Sequence, residues 1–298
     1  MLANSSAPGP SAPGKPALAT EQPAGVPLPR RRRRRPAGRA GLWLVTGVTG
    51  LFLLVPVVVV VVYSFNSQKS LTALGHPSLR WYSTVFHDSA VLASIRVSLE
   101  VAVLTTVVAT VVGTLLAFGL TRSRSRWSRP ANGILLLTLV TPEIATATSL
   151  FLIYTTQLHI TLSILTITIS HITFSLVYVT VIVRTQITGL RREIEEAARD
   201  LGCGEMQTLR LAVLPQIRSA IVGAALLVFV LSFDDFVTSY LTSGVGTPPL
   251  PVYIYSMIKF GLTPEINAIG TLMVAVSAIL GITGIFLLGF RANWRRAA

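Results

Sequence analysis

Apolar residues are gathered into six long runs, and short polar or charged segments separate each run from the next. The runs lie at about residues 41–63, 97–120, 133–156, 161–183, 220–241 and 265–290. Each is long enough to cross ~30 Å of hydrocarbon as a helix that rises ~1.5 Å per residue. The pattern therefore predicts an all-α integral membrane protein with six transmembrane helices, which occupy residues 41–298. Residues 1–40 have no apolar periodicity and are predicted to be a disordered, cytoplasmic tail rich in Pro, Gly, Ala and Arg.

Basic residues are distributed unevenly between the loops that this pattern predicts. The run from Arg30 to Arg35 precedes the first span, four arginines lie between residues 122 and 129, six between residues 184 and 218, and three after residue 290. The intervening loops hold few basic residues. Because loops rich in Lys and Arg stay on the cytoplasmic side, both termini are predicted to be cytoplasmic.

The composition agrees with a chain whose solvent is largely lipid. Hydrophobic residues make up 51% of the chain and charged residues only 12%, whereas soluble domains carry about 25% charged residues. The run Arg30 to Arg35 supplies six of the positive charges behind the net charge of +13. Next to a membrane span, such a run is typical of topology signals and of contacts with anionic lipid headgroups. Nucleic-acid binding is therefore not predicted.

The loop between the fourth and fifth predicted spans, residues 191–218, is strongly charged but amphipathic. Apolar positions at i, i+3, i+4 and i+7 predict a helix, and they are Ile194, Ala197, Ala198 and Leu201. Gly202 is placed to end that helix. A second short helix is predicted from about Glu205, with Pro215 breaking the pattern before the fifth span. The apolar face must pack against another surface, and periodicity alone leaves open whether this is the protein's own spans or a partner.

Fixed positions in the same loop carry a resemblance to a known family. Glu196, Ala197, Ala198, Gly202, Leu214 and Pro215 have the spacing of the EAA motif of binding-protein-dependent ABC permeases. One position departs from that motif, since Ala212 stands where an isoleucine is usual. The position of the loop, before the penultimate span, is also similar to that family.

This resemblance implies that the loop is a cytoplasmic coupling helix-turn-helix, which docks on a separate ABC ATPase. The chain would then be the permease subunit of an ATP-driven importer in the bacterial inner membrane. Two copies of the ATPase would hold Mg-ATP, and no cofactor would bind to this chain. A second permease subunit, expected to be a distinct homologue, and an extracytoplasmic solute-binding protein would complete the assembly.

Two further segments resemble the spermidine/putrescine permease subfamily, residues 170–174 (SHITF) and residues 232–237 (SFDDFV). They imply that the solute is a polyamine. Permeases for other small charged solutes, such as iron(III), aminophosphonates or opines, are similar and stay open as alternatives. An ion-coupled secondary transporter is a further alternative, which the lack of internal repeat symmetry disfavours.

Two carboxylates interrupt the fifth predicted span, and a carboxylate at mid-bilayer costs ~2.5–3.5 kcal/mol. Asp234 and Asp235 are adjacent, so helical geometry turns them ~100° apart and predicts that only one faces a pathway. With Phe233 and Tyr240 they are candidates for a translocation pathway, where carboxylates and aromatic rings would attract a cation. A hydrogen-bonded structural pair at the outer interface is an equal alternative.

Two more polar residues lie within predicted spans. Glu143 follows Pro142, which is expected to kink or break the third span, and capping of the new helix is favoured over a place in the pathway. His171 is expected to be a hydrogen-bonded core residue. The four histidines show no metal-ligand spacing, so no metal site is predicted. No nucleophile–base spacing and no credible nucleotide loop is present, and the chain is not predicted to be an enzyme.

Overall fold

The fold is described by a computed structural model over residues 36–69, 75–122, 128–246, 248–261 and 263–297. Within these ranges the regular secondary structure is helical, and an isolated β-bridge joins Asn66 and Pro77. The α-helices are α1 (Pro36–Ser64), α2 (Arg80–His87), α3 (Ser89–Arg122), α4 (Ser128–Val140), α5 (Glu143–Leu152), α6 (Ile164–Thr188), α7 (Arg192–Asp200), α8 (Glu205–Gln207), α9 (Leu214–Phe233), α10 (Val237–Thr242), α11 (Leu250–Phe260) and α12 (Pro264–Ala297). Two π-helical segments, Ile153–Gln157 and Thr208–Val213, continue α5 and α8.

The described helices fit an integral membrane protein. Five of them are long and apolar enough to cross a bilayer, and a sixth span is obtained if the bent pair α4 and α5 is counted as one. The chain divides into two units, Met1–Phe52 and Leu53–Ala298. In the first unit, residues 41–49 of α1 are exposed. A helix with apolar side chains exposed all round is stable in lipid because its backbone hydrogen bonds are satisfied internally.

The first helix begins earlier than the hydropathy pattern predicts. It starts at Pro36, whereas residues up to 40 were assigned to the disordered tail. Proline suits the first helical position because its missing N–H would have no intrahelical partner there, and its φ is already helical. The remainder of the predicted tail, residues 1–35, lies outside the described residues.

The third predicted span, residues 133–156, is not one straight helix. It is divided between α4 and α5, whose axes differ by 108°. The break falls at Thr141 and Pro142, where the proline ring removes a backbone donor and clashes with the preceding turn. The predicted break at Pro142 is therefore confirmed.

The fifth predicted span, residues 220–241, ends early. Helix α9 stops at Phe233 and a short helix, α10, starts at Val237. At the other end, α9 is continuous with the π segment and α8, so that one helix runs over Glu205–Phe233. The predicted break at Pro215 is therefore wrong. The π-helical segment Thr208–Val213 lies just before the proline, and such local adjustments let a membrane helix continue through a proline.

Helices α3, α6 and α9 form the centre of the second unit. Small residues at every fourth position of α3, Ala109, Gly113 and Ala117, are buried in this contact. A Cβ atom on Gly113 would lie 2.7 Å from Cβ of Val179 on α6, so glycine is needed for the close approach of the two helices. This core holds α6 and α9 in fixed positions, and the polar site described next is built on those two helices.

Candidate functional site

A cavity of about 340 Å³ lies between the α4–α5 bend, helix α6 and the break that separates α9 from α10. Its wall contains three carboxylate side chains, Glu143, Asp234 and Asp235. We call this space the acidic cavity. Hydroxyl and aromatic groups complete its wall, among them Thr141, Thr146, Ser170, Phe174, Tyr178, Phe236 and Thr238.

Asp235 is the most enclosed of the three acids, with 8% of its surface exposed. Its Oδ2 atom accepts a hydrogen bond from the backbone N–H of Ser239 at 2.9 Å and lies 3.0 Å from Nε2 of His171. The first contact satisfies a backbone donor in the first turn of α10. Asp235 therefore lies in the break between α9 and α10, and its side chain accepts a hydrogen bond from the first turn of α10.

His171 on α6 is fully buried and joins three elements. Its Nδ1 atom lies 2.7 Å from Oγ of Ser232 at the end of α9, and its Nε2 atom lies 3.2 Å from Oγ of Ser239 on α10. The contact of Nε2 with Asp235, given above, is the third polar contact of this ring. The expectation of a hydrogen-bonded core histidine is confirmed, and its partners are the residues that flank the helix break.

Asp234 has a different environment from its neighbour. Its side chain is exposed, and its Oδ2 atom accepts a hydrogen bond from the hydroxyl of Ser277 on α12 at 2.7 Å. The two aspartates lie in the turn after α9 and not within a regular helix, so the predicted 100° separation does not apply. Both line the acidic cavity.

Glu143 is the first residue of α5, and Pro142 occupies its N-cap position without a side-chain capping bond. The Glu143 side chain interacts with those of Asp235 and Thr238, which places it opposite α10. An acidic residue in the first turn is favourable for the helix dipole, as expected, but the side chain also belongs to the cavity wall. The 108° bend is what brings it there.

The aromatic candidates are divided between the core and the surface. Phe233 is buried and stacks on Phe229, and it is absent from the cavity wall. Tyr240 is exposed and packs with Phe236 and Tyr255 at centroid distances of 5.4 and 5.5 Å. Of these rings Phe236 is the one that lines the cavity. Sequence reasoning missed Phe174 and Tyr178 on α6, for which the polar residues Ser170 and His171 within an apolar run were the available signal.

Helices α7 and α8, with the π segment to Val213, form a hairpin that we call the coupling hairpin. Gly202 has a φ of +85° and ends α7 as predicted. The N–H of Cys203 donates to the carbonyl of Ala198, and the N–H of Gly202 donates to that of Arg199. These two bonds are the Schellman arrangement, in which a residue with positive φ satisfies the last carbonyls of a helix.

The coupling hairpin presents an apolar surface that the described chain does not cover. Leu201 and Met206 are 85% and 73% exposed, and none of the residues of α7 is buried. Within the EAA-like set, Glu196, Ala197 and Gly202 are exposed on the hairpin, while Leu214 and Pro215 are exposed in the first turn of α9. Packing against the protein's own spans does not account for this face, because its large apolar side chains remain exposed.

One ion pair joins the coupling hairpin to the helix core. Nη2 of Arg122, in the last turn of α3, lies 3.0 Å from Oε2 of Glu195 on α7. The guanidinium group also lies over the ring of Phe118, 5.7 Å from its centroid. Pairs with this degree of exposure contribute about 0–1 kcal/mol, so the contact orients α7 and adds little to global stability.

Replacing Gly202 with alanine is expected to destabilise the turn of the hairpin by about 1–2 kcal/mol, because a Cβ atom is strained at positive φ. A Cβ atom there would meet no atom within 4 Å, so the cost is purely conformational. Faster amide hydrogen exchange at Cys203 would report it. Gly204→Ala is the matched control, since Gly204 also has open space but a φ of −66°. Equal exchange in the two variants would contradict the assignment.

The sequence comparisons decide the family. The model for "Binding-protein-dependent transport system inner membrane component" matches residues 109–294, which include the acidic cavity and the whole coupling hairpin. The chain belongs to this family. As a member it is a multi-pass inner membrane protein and the permease subunit of a binding-protein-dependent ABC importer, a transport component and not an enzyme.

Permease relatives extend the match over most of the chain. The putrescine transport system permease protein PotI of Escherichia coli K12 is 36% identical over 251 residues, which cover 82% of this chain and 89% of that protein. The spermidine/putrescine transport system permease protein PotC of Haemophilus influenzae is 34% identical over 229 residues, which cover 77% of this chain and 89% of that protein.

Solved structures agree with the permease fold. A bacterial ABC transporter involved in the import of alginate has a TM-score of 0.60 at 16% identity, covering 89% of this chain and 99% of that chain. The MetNI methionine ABC transporter in an inward-facing conformation has a TM-score of 0.57 at 16% identity, covering 65% and 92%.

Proposed function

We propose that this permease subunit carries polyamines, putrescine or spermidine, into the bacterial cytoplasm. The observation that carries the proposal is the acidic cavity, in which Glu143, Asp234 and Asp235 line one space within the helical bundle. Relatives that are named for putrescine and spermidine transport support the choice of solute.

The chemistry of the cavity suits a flexible organic cation. Two opposite unit charges 4 Å apart attract each other by about 4 kcal/mol at an effective dielectric constant of ~20, and by only about 1 kcal/mol in bulk water. The rings of Phe174, Tyr178 and Phe236 add faces on which an ammonium group is stabilised. Aminophosphonates and opines carry anionic groups, which the same carboxylates would repel. Iron(III) is also positively charged, and the competition assay below distinguishes it from polyamines as the solute.

The coupling hairpin is the proposed contact with the ABC ATPase. Two small residues on α7, the exposed Ala197 and the half-buried Ala198, permit a close approach. The Glu196 carboxylate is available to accept hydrogen bonds from the partner. Two ATPase copies would bind Mg-ATP and move the hairpins as they close. This chain would need no cofactor of its own.

The proposed topology has six spans, with α4 and α5 together as the third. Loops rich in arginine, including the coupling hairpin, would then face the cytoplasm together with both termini. The arginine-rich tail would contact anionic lipid headgroups. A distinct second permease subunit and an extracytoplasmic solute-binding protein would complete the importer.

Reconstitution of this assembly in liposomes tests the proposal. The chain is incorporated with its matching ATPase, partner permease and solute-binding protein, and uptake of radiolabelled putrescine is measured with and without ATP. We expect uptake that requires ATP and that unlabelled spermidine inhibits more strongly than iron(III), an opine or an aminophosphonate does. Uptake driven by a proton or sodium gradient without nucleotide would instead support a secondary transporter.

A further inference from the structure

His171 is buried, and both of its ring nitrogens make polar contacts. It is 0% exposed, and both ring nitrogens have partners: Ser232 on Nδ1, and Asp235 and Ser239 on Nε2. An ionised carboxylate can only accept hydrogen bonds. With Asp235 ionised, Nε2 of His171 carries a hydrogen and donates it, and Nδ1 in the neutral ring accepts from the hydroxyl of Ser232.

The position of Asp235 depends on these contacts. It lies in the turn between α9 and α10, where no regular helix holds its backbone. Its Oδ2 atom is held from two sides, by the imidazole of α6 and by the N–H of Ser239. Both of these donors use Oδ2. On the cavity side the Asp235 carboxylate also interacts with the side chain of Glu143.

We propose that His171 is a positioning residue, whose Nε2–H holds the carboxylate of Asp235 in the wall of the acidic cavity so that it binds a passing ammonium group. The inference rests on the proposed function for the identity of the solute. His171 has no exposed surface and does not touch the solute itself. Its effect is exerted through Asp235, because that residue is the acid of the cavity within its reach.

The central test is a double-mutant cycle in the reconstituted importer. His171→Leu is expected to lower Vmax/KM for putrescine about tenfold or more, in keeping with the loss of a hydrogen bond to a charged group. In an Asp235→Asn background the same substitution is expected to change Vmax/KM less than about twofold, since the group that it positions is already altered. If the losses of the two single variants multiplied in the double variant, His171 and Asp235 would act independently and the proposal would be overturned.

A conservative variant separates positioning from simple folding. His171→Gln places an amide donor near the position of Nε2 and is expected to recover most of the lost Vmax/KM. Ser232→Ala removes only the partner of Nδ1, and a smaller loss is expected. If His171→Gln were as impaired as His171→Leu, while both proteins were inserted in equal amounts, the donor on Nε2 would have no special role.

NMR of the histidine ring tests the inference without any solute, so its result does not depend on the proposed function. In the assembled importer labelled with 15N-histidine, NMR should show His171 protonated on Nε2, with a resonance that moves in Asp235→Asn but not in Ser277→Ala. An unchanged resonance in Asp235→Asn would overturn the inference even if putrescine were transported. Absence of putrescine uptake by the wild type would count against the proposed function alone.

Discussion

Reversing the charge of Glu196 is expected to abolish uptake while leaving membrane insertion intact. Glu196 is exposed on α7 next to Ala197, so a lysine there affects a docked partner and not the fold. The loss of one charge partner in an interface costs about 2–5 kcal/mol, and a reversal adds repulsion. We therefore expect ATP-driven putrescine uptake to fall by at least about 100-fold in Glu196→Lys.

Two controls identify the cause of that loss. Glu196→Gln removes the charge without reversing it and is expected to give an intermediate rate. Lys69→Glu reverses a charge at an exposed position outside the coupling hairpin and is expected to retain uptake. The ATPase should also co-purify less well with Glu196→Lys. Normal uptake by that variant, or crosslinks from α7 that never reach an ATPase, would refute the assignment of the hairpin.

Removing negative charge from the acidic cavity is expected to have the second large effect. Asp234→Asn and Glu143→Gln each keep the size of the side chain and replace a carboxyl group of the cavity with a neutral amide. Each is expected to reduce Vmax/KM for putrescine about tenfold or more, because a change of about 1.4 kcal/mol in binding is a tenfold change in affinity. The double variant should lose more than either single one.

Specificity for charge is the decisive readout of this experiment. Spermidine has one more amine than putrescine, so the neutral variants should discriminate less between the two solutes. Glu100→Gln is the matched control, since Glu100 is a carboxylate of α3 that pairs with Arg96 outside the cavity. If the control and the cavity variants behaved alike, a general loss of membrane charge would explain the result and the cavity would have no role.

Local signals were sufficient to predict several elements from the sequence. The apolar runs predict membrane helices because lipid imposes a minimum length and excludes unpaired backbone groups. Pro142 predicts the break in the third span, and Gly202 predicts the end of α7. At Pro142 and Gly202 a single residue type limits the local backbone, and this is why the sequence signal was sufficient there.

Tertiary contacts explain what sequence reasoning could not supply. The fifth span is predicted to run to residue 241, yet α9 ends at Phe233. In the break that follows, Asp235 contacts His171, which lies more than sixty residues earlier in the chain. The angle of the α4–α5 bend depends on packing and not on the proline alone, and that angle brings Glu143 to Asp235. Phe233 was a reasonable candidate by adjacency, but the turn after α9 directs its side chain into the core.

The continuous helix over Glu205–Phe233 has a mechanical consequence. Its 29 residues make a rod of about 43 Å at ~1.5 Å per residue, with the hairpin at one end and the paired aspartates immediately beyond the other. A rigid tilt of roughly 5° about one end would displace the other by about 4 Å, more than the length of a hydrogen bond. Movement of the hairpin on nucleotide binding would then be transmitted along this helix to the aspartates that contact the cation.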